Sequence, residues 1–244
     1  MEWGPSALGS EKWELYHLEQ DFSQARDVSN EYPEKLRELQ ELFWVNAEKK
    51  KILPLDDRFV ERLSMTNSAG QERPNLTQGR KQFVYYAGAV GINESNAPNI
   101  KNRSHTITAK VHIPVTGGEG VLVAQGEARA GWSLYVNHAG QPVYTYSFAG
   151  QRTTVTGPSP LPKGDTVVRL DFKYDGDGRG KGGTATLVVN DQPVGQEHVP
   201  VTVANMFSLN ETFDVGIDTK VPVGNYPRNY SFGGAIESVT IDLK

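Results

Sequence analysis

Three short runs in which apolar and polar residues alternate, at 121–125, 132–136 and 143–148, constrain this chain more than anything else in it. Alternation with period two, carried by aromatic and β-branched residues, is the pattern of half-buried antiparallel strands. Successive strand side chains point to opposite sides. Trp132, Leu134 and Val136 therefore share one face, and Ser133, Tyr135 and Asn137 the other. Between the second and third runs, Asn137-His138-Ala139-Gly140-Gln141 reads as a turn, because Gly140 takes positive φ without steric cost. Such a meander sets one face on a core and leaves the other toward solvent.

From Gln82 onward the same signal recurs, at 83–86, 105–113, 166–174, 184–189, 213–217 and 235–243. Val168, Leu170, Phe172 and Tyr174 oppose Val167, Arg169, Asp171 and Lys173. Near Glu237 the alternation of Ile236, Val239 and Ile241 slips, which predicts a β-bulge. The 25 glycines and 14 prolines supply the turns between so many short strands. About nine strands of this length make a chain that is mainly β, a two-sheet antiparallel sandwich of jelly-roll type.

The start of the chain is built differently. Residues 12–18 alternate like a strand, with Trp13 and Leu15 on one face. From Tyr32-Pro33 to Lys51 the period becomes helical. Pro33 suits a first helical turn, Glu31 and Glu34 lie at the positive end of the helix dipole, and Lys49, Lys50 and Lys51 at the negative end. Leu36, Leu39, Leu42 and Phe43 form an apolar stripe that needs something to dock on. One strand and one amphipathic helix cannot enclose a core. The organisation is therefore residues 1–55 as the last piece of something larger, 56–80 as a linker and 81–244 as the sandwich.

Composition narrows the function. A formal net charge of −4 over 244 residues disfavours general binding to nucleic acid or an anionic membrane. No run of 18 apolar residues exists to span a bilayer. Glu2 and Pro5 stand where a secretory signal would be basic and then apolar, so none is expected. The cysteine count is 0, which excludes disulfides, thiolate zinc sites and a cysteine nucleophile within these residues. None of this fixes a compartment.

Two stretches resemble a known family. Residues 12–40, with Trp13, Glu14, Leu15, Tyr16, Leu18, Asp21, Pro33, Lys35 and Leu36, resemble the C-terminal strand and helix of type I sulfatases, α/β enzymes related to the arylsulfatases. His17 and Phe22 depart from that pattern. Residues 82–244 are similar to the concanavalin A-like sandwich that follows the catalytic part of long bacterial arylsulfatases. The similarity is carried by Lys101-Asn102-Arg103-Ser104-His105-Thr106-Ile107-Thr108, Gly131-Trp132-Ser133-Leu134-Tyr135-Val136, Lys181-Gly182-Gly183-Thr184 and Glu211-Thr212-Phe213-Asp214-Val215-Gly216. The resemblance implies hydrolysis of sulfuric esters by the parent enzyme, a missing catalytic domain as partner, and self-association through the sandwich. It also implies calcium and a formylglycine, but only in that missing domain. The family's (C/S)-x-P-x-R motif is absent: Ser159-Pro160-Leu161-Pro162-Lys163 has its proline one place early and no arginine. No catalytic residue, metal ligand or cofactor is therefore expected in this chain, which alone should be inactive.

Other chemistry is weakly signalled. Asp175-Gly176-Asp177-Gly178 resembles the start of a calcium loop but lacks the distal glutamate. No E-x-D-x-(x)-E run offers paired carboxylates about 5–5.5 Å apart for glycoside hydrolysis. His17, His105, His112, His138 and His198 match no zinc spacing, and no serine sits in a nucleophile elbow. An alternative to the sulfatase reading is a stand-alone lectin-like carbohydrate-binding module. For it, Trp132, Tyr135, Tyr144 and Tyr146 are the candidate sugar platform, with Arg129, Arg152 and Arg169 as candidates for sulfated sugars.

Overall fold

The computed structural model describes residues 12–52, 77 and 79–244. The chain forms two compact units, Met1–Ser68 and Ala69–Lys244. The linker expected over 56–80 falls almost wholly outside the described residues.

In the first unit, helix α1 runs Pro33–Lys49, with its proline in the first turn, Glu34 at the start and Lys49 at the end. Among the described residues the segment expected to be a strand, 12–18, pairs with no other strand. Its hydrogen bonds go locally instead. The Leu15 N–H donates to Asp27 Oδ1 (3.0 Å) and the Leu15 carbonyl accepts from the Val28 N–H (2.8 Å). Asp27 also accepts from the Ser29 N–H, and these backbone donors hold its carboxyl far below the usual range. Trp13 meets Phe43 edge-on at 5.3 Å, yet Leu39 and Leu42 of the stripe remain 40% and 53% exposed.

The second unit is a sandwich of two six-stranded antiparallel sheets. One contains β1 (Gln82–Tyr85), β12 (Ala235–Leu243), β3 (His105–Ile113), β8 (Gly164–Tyr174), β9 (Gly183–Val189) and β10 (Gln192–Val199), in that order. The other is β2 (Ile92–Asn93), β11 (Thr212–Val215), β4 (Gly120–Gly126), β5 (Ala130–Val136), β6 (Pro142–Phe148) and β7 (Gln151–Thr156). All of the strands read from period two are present. The turn at Gly140 (φ 75°) closes β5 onto β6, and the register shift in β12 falls between Ile236 and Ser238, at the expected bulge. β2, β7 and β10 are additions that the alternation did not reveal.

Between the sheets lies one apolar core. Ile107, Ala109, Val168, Leu170, Phe172, Leu187 and Ile241 face Leu122, Trp132, Leu134, Tyr144, Tyr146 and Phe213. The first sheet's outer face is wet and polar, as antiparallel sheets allow. It carries cross-strand bonds from Gln82 to Asp242 (2.7 Å), Thr106 to Asp171 (3.0 Å) and Thr186 to Gln196 (3.3 Å). The second sheet differs from expectation: the outward residues of β4, β5 and β6 are also buried. A separate cluster of Val121, Ala124, Tyr135, Val143 and Tyr230, with Tyr226 against it, covers that side. The covering chain is the segment that follows β11. It bonds to β4 through the Val121 N–H and the Tyr230 carbonyl (3.0 Å), and it passes so close that a Cβ on Gly120 would lie 2.2 Å from the Ser231 carbonyl oxygen.

Burial sets the energetic hierarchy. Leu170→Ala should cost the sandwich about 2–5 kcal/mol, because it removes transfer energy and leaves a cavity in a closed core. Leu42→Ala should move that same transition by less than about 0.5 kcal/mol. Urea denaturation followed by tryptophan fluorescence compares the two, and equal costs would contradict the core described above.

Candidate ligand-binding face

Residues directly opposite one another in an antiparallel ladder share a face. The registers therefore place Asp214, Ala124, Ser133, Thr145 and Thr154 in one row across the outer side of the second sheet. Val121, Tyr135, Val143 and Thr156 form the row beside it. Thr145 and Thr154 hydroxyls meet at 3.2 Å. At one end of the row Asp214 is buried but fully engaged. It accepts from the Gly91 N–H (2.7 Å), the Thr212 hydroxyl and both the N–H and hydroxyl of Thr219. That carboxylate is a structural clasp between β11 and the loop after it.

Over the second row lies an aromatic group. Tyr226 meets Tyr135 edge-on at 4.7 Å and stacks on Tyr230 at 5.7 Å with only 15° between the planes. His138 meets Tyr230 at 5.2 Å, and its Nδ1 is 2.7 Å from Glu119 Oε2. Tyr226 is half-buried, while His138, Glu119, Asn225, Arg228 and Asn229 around it are exposed. The Tyr226 hydroxyl donates to Asp218 Oδ2 (2.7 Å), which also accepts from the Val223 N–H (3.3 Å). Burial pushes both the Asp218 carboxyl and the Tyr226 hydroxyl up from their ordinary values. Gly224 is required here, since a Cβ would lie 2.5 Å from the Tyr226 ring and 2.8 Å from the Tyr135 ring.

The residues proposed from sequence as a sugar platform are placed elsewhere. Trp132, Tyr144 and Tyr146 face the core, not solvent. Trp132 Nε1–H donates to Gln125 Oε1 (3.1 Å), and the Tyr146 hydroxyl accepts from the Val203 N–H (2.8 Å). Large rings on the inward side of a sandwich fill its core, and period two fixed them there. Tyr135 alone lies on the outer face, and Tyr226 covers it. Tyr226 and Tyr230 lie in an irregular loop with no periodicity. Their only sequence signal is that two tyrosines share a Gly- and Pro-punctuated stretch.

The remaining candidates also find structural partners. Asp175 Oδ2 is 2.7 Å from His198 Nε2, and the Tyr174 hydroxyl accepts from the Lys181 N–H (2.8 Å) and donates to the Gly178 carbonyl (2.9 Å). The glycine-rich turn is thus tied down as a hairpin. Among the described residues no three His, Asp or Glu side chains gather as metal ligands. His105 is buried against Phe172, and burial lowers its pKa to about 4. It is a neutral core histidine whose Nδ1–H donates to the Arg103 carbonyl (3.2 Å).

No protein-family model matches the chain, and no curated protein matches it. Solved structures with a similar fold include the CBM40 of Ruminococcus gnavus IT-sialidase bound to α2,3-sialyllactose, 17% identical, covering 67% of this chain and 89% of that one with a TM-score of 0.42. A SAP-like pentraxin of Limulus polyphemus is 13% identical, covering 68% and 75%, with a TM-score of 0.34. Domains LG4-5 of the mouse laminin α1 chain are 13% identical, covering 68% and 39%, with a TM-score of 0.38. The sandwich itself is read from the strand pairing.

The Asp218–Tyr226 bond should be sensitive to pH. Asp218 has a folded-state pKa above its unfolded one. It therefore adds stability in full below about 3.8, and that contribution is lost as pH rises through the folded value. Tyr226→Phe takes a donor from the ionised form, so it should cost about 1.5–3 kcal/mol at pH 7 and less at pH 3.5. Urea denaturation at the two pH values measures this. An equal cost at both would mean that the charge of Asp218 plays no part in holding the loop.

Proposed function

We propose that the sandwich is a lectin-like carbohydrate-binding module and not a catalyst. The observation that carries this reading is the tyrosine group on the outer face of the second sheet. Tyr226 is half-buried there, stacked on Tyr230 and braced by Tyr135. A sugar ring presents C–H groups to a flat aromatic face and hydroxyls to its surroundings. The half-open ring supplies the first contact, and the exposed rim of His138, Glu119, Asn225 and Asn229 supplies the second. The buried acids at this face are committed to structure, and the exposed His138 and Glu119 are paired with each other. Asp214 is saturated with donors, and Asp218 is engaged by Tyr226. A glycan array probed with the 244-residue chain tests the reading. Saturable binding is expected, and Tyr226→Ala should weaken it about tenfold, the equivalent of about 1.4 kcal/mol. No binding on the array, or binding that Tyr226→Ala leaves intact, rejects it.

A second reading concerns what carries the module. Among its described residues the first unit has a strand-like segment without a sheet, and a helix whose apolar stripe includes exposed Leu39 and Leu42 beside Val45, which is 62% exposed. An apolar stripe of this kind is completed by a partner. Together with the resemblance of residues 12–40, this favours a sulfuric ester hydrolase whose catalytic domain supplies the missing sheet. The calcium and formylglycine would then belong to that domain, and self-association through the sandwich would belong to the whole enzyme. Reading the coding DNA upstream of Met1 tests it. An in-frame (C/S)-x-P-x-R motif preceded by paired aspartates is expected, and a ribosome site directly before Met1 with a native product of this size would reject it.

A further inference from the structure

The three arginines considered for anionic sugars end in different situations. Arg169 is engaged on the first sheet, with its Nε donating to Asp171 (3.1 Å) and its Nη1 to Asp191 (3.1 Å). Arg129 and Arg152 are exposed, and among the described residues neither side chain has a hydrogen bond or ion pair. Glu127, the acid on the same turn as Arg129, is half-buried and pairs with neither.

The fold brings these two arginines to one corner. Arg152 of β7 stands opposite Ser147 of β6, so it shares the outer face with Ser147, Thr145 and Thr154. The Ser147 hydroxyl donates to the Ala128 carbonyl (2.5 Å), which pins the turn carrying Arg129 over the same residue. The Gly150 N–H donates to the Arg129 carbonyl (3.0 Å), which ties that turn to the β6–β7 hairpin. Gly126 and Gly131 let the turn fold this tightly, since added Cβ atoms would lie 2.4 Å and 2.6 Å from backbone oxygens. Two cationic side chains are thus carried on the turn and the strand that meet at Ser147, on firmly held backbone, and among the described residues neither has a counter-ion. Guanidinium groups offer parallel N–H donors that match the oxygens of a sulfate or carboxylate.

We propose that Arg129 and Arg152 form an oxyanion-binding corner on the outer face of the second sheet, which takes a sulfate ester or a carboxylate carried by the bound saccharide. The saccharide part rests on the carbohydrate-binding reading above; the oxyanion part rests on this corner alone. The test is therefore made with small ions. The 244-residue chain is titrated with sodium sulfate, and separately with sodium acetate, at constant ionic strength while the arginine side-chain N–H signals are followed by NMR. Arg129 and Arg152 should shift together and saturate, while Arg169 stays still. R152Q should weaken the response at Arg129 about tenfold or more, with the backbone amide spectrum confirming an intact fold. Tighter saturation by sulfate assigns the corner to sulfate esters, and tighter saturation by acetate to carboxylates. A linear drift, or equal movement of all arginines, overturns the proposal. No sugar enters this experiment, so its failure is distinct from a blank glycan array.

Discussion

The central strands of the second sheet, β4, β5 and β6, are buried on both faces, and much of the rest of the structure follows from that constraint. An antiparallel sheet in a sandwich needs only one dry face. Here the outer side of β4, β5 and β6 carries Val121, Ala124, Tyr135 and Val143, too apolar to be left in water at about 25 cal/mol per Å². The segment after β11 must therefore lie flat against the sheet. That requirement explains Gly120, where the backbones nearly touch, and Gly224, where two tyrosine rings leave no room for a side chain. It also explains the clasp at Asp214 and the bond from Tyr226 to Asp218, which secure the first half of an otherwise irregular loop. The segment that leaves Tyr226 half-buried is thus the same one that completes the fold.

Much of this architecture was legible in the sequence because period two is a physical consequence of the pleat. Strands that are wet on one side, such as β3 and β8, wrote their faces plainly. The missed strands are those where packing does not impose alternation. β7 reads Gln151-Arg152-Thr153-Thr154-Val155-Thr156, an edge strand with one core residue. β10 is mostly exposed and contains Pro193 and a register shift before Gly195. Pairing partners, not side-chain pattern, make these strands. Residues 12–18 show the converse. The alternation is present, but a strand also needs a neighbour, and Asp27 takes the Leu15 N–H that a neighbour would have used.

The site was less legible than the fold for a related reason. Aromatic content marks Trp132, Tyr144 and Tyr146, yet in a sandwich the regularly spaced rings are the ones that periodicity assigns to the core. The half-buried ring of Tyr226 and the Tyr230 ring beneath it lie where the chain is irregular, and no spacing rule identifies them. The arginines give the same lesson. Arg169 sits on a regular strand and is neutralised by an acid two residues along that strand and by a turn acid, whereas Arg129 lies in a turn and Arg152 on an edge, where among the described residues no acid is paired with them.

The β6–β7 hairpin shows what the fold tolerates to keep that corner in place. Its two turn residues, Ala149 and Gly150, both have positive φ, at 51° and 81°. Two-residue hairpins favour this geometry because its twist matches the strands, and glycine or asparagine normally supplies it. An alanine in the left-handed region costs about 1–2 kcal/mol from contact between Cβ and the carbonyl oxygen. The structure offsets that strain through the ladder of β6 with β7 and the bond from the Gly150 N–H to the Arg129 carbonyl. A longer, relaxed loop would free the strain but would loosen Arg152 against Ser147 and Arg129 against Gly150. Backbone rigidity at this hairpin holds the turn of Arg129 and the strand of Arg152 in fixed register about Ser147, so that less ordering remains to be done when either side chain meets a partner.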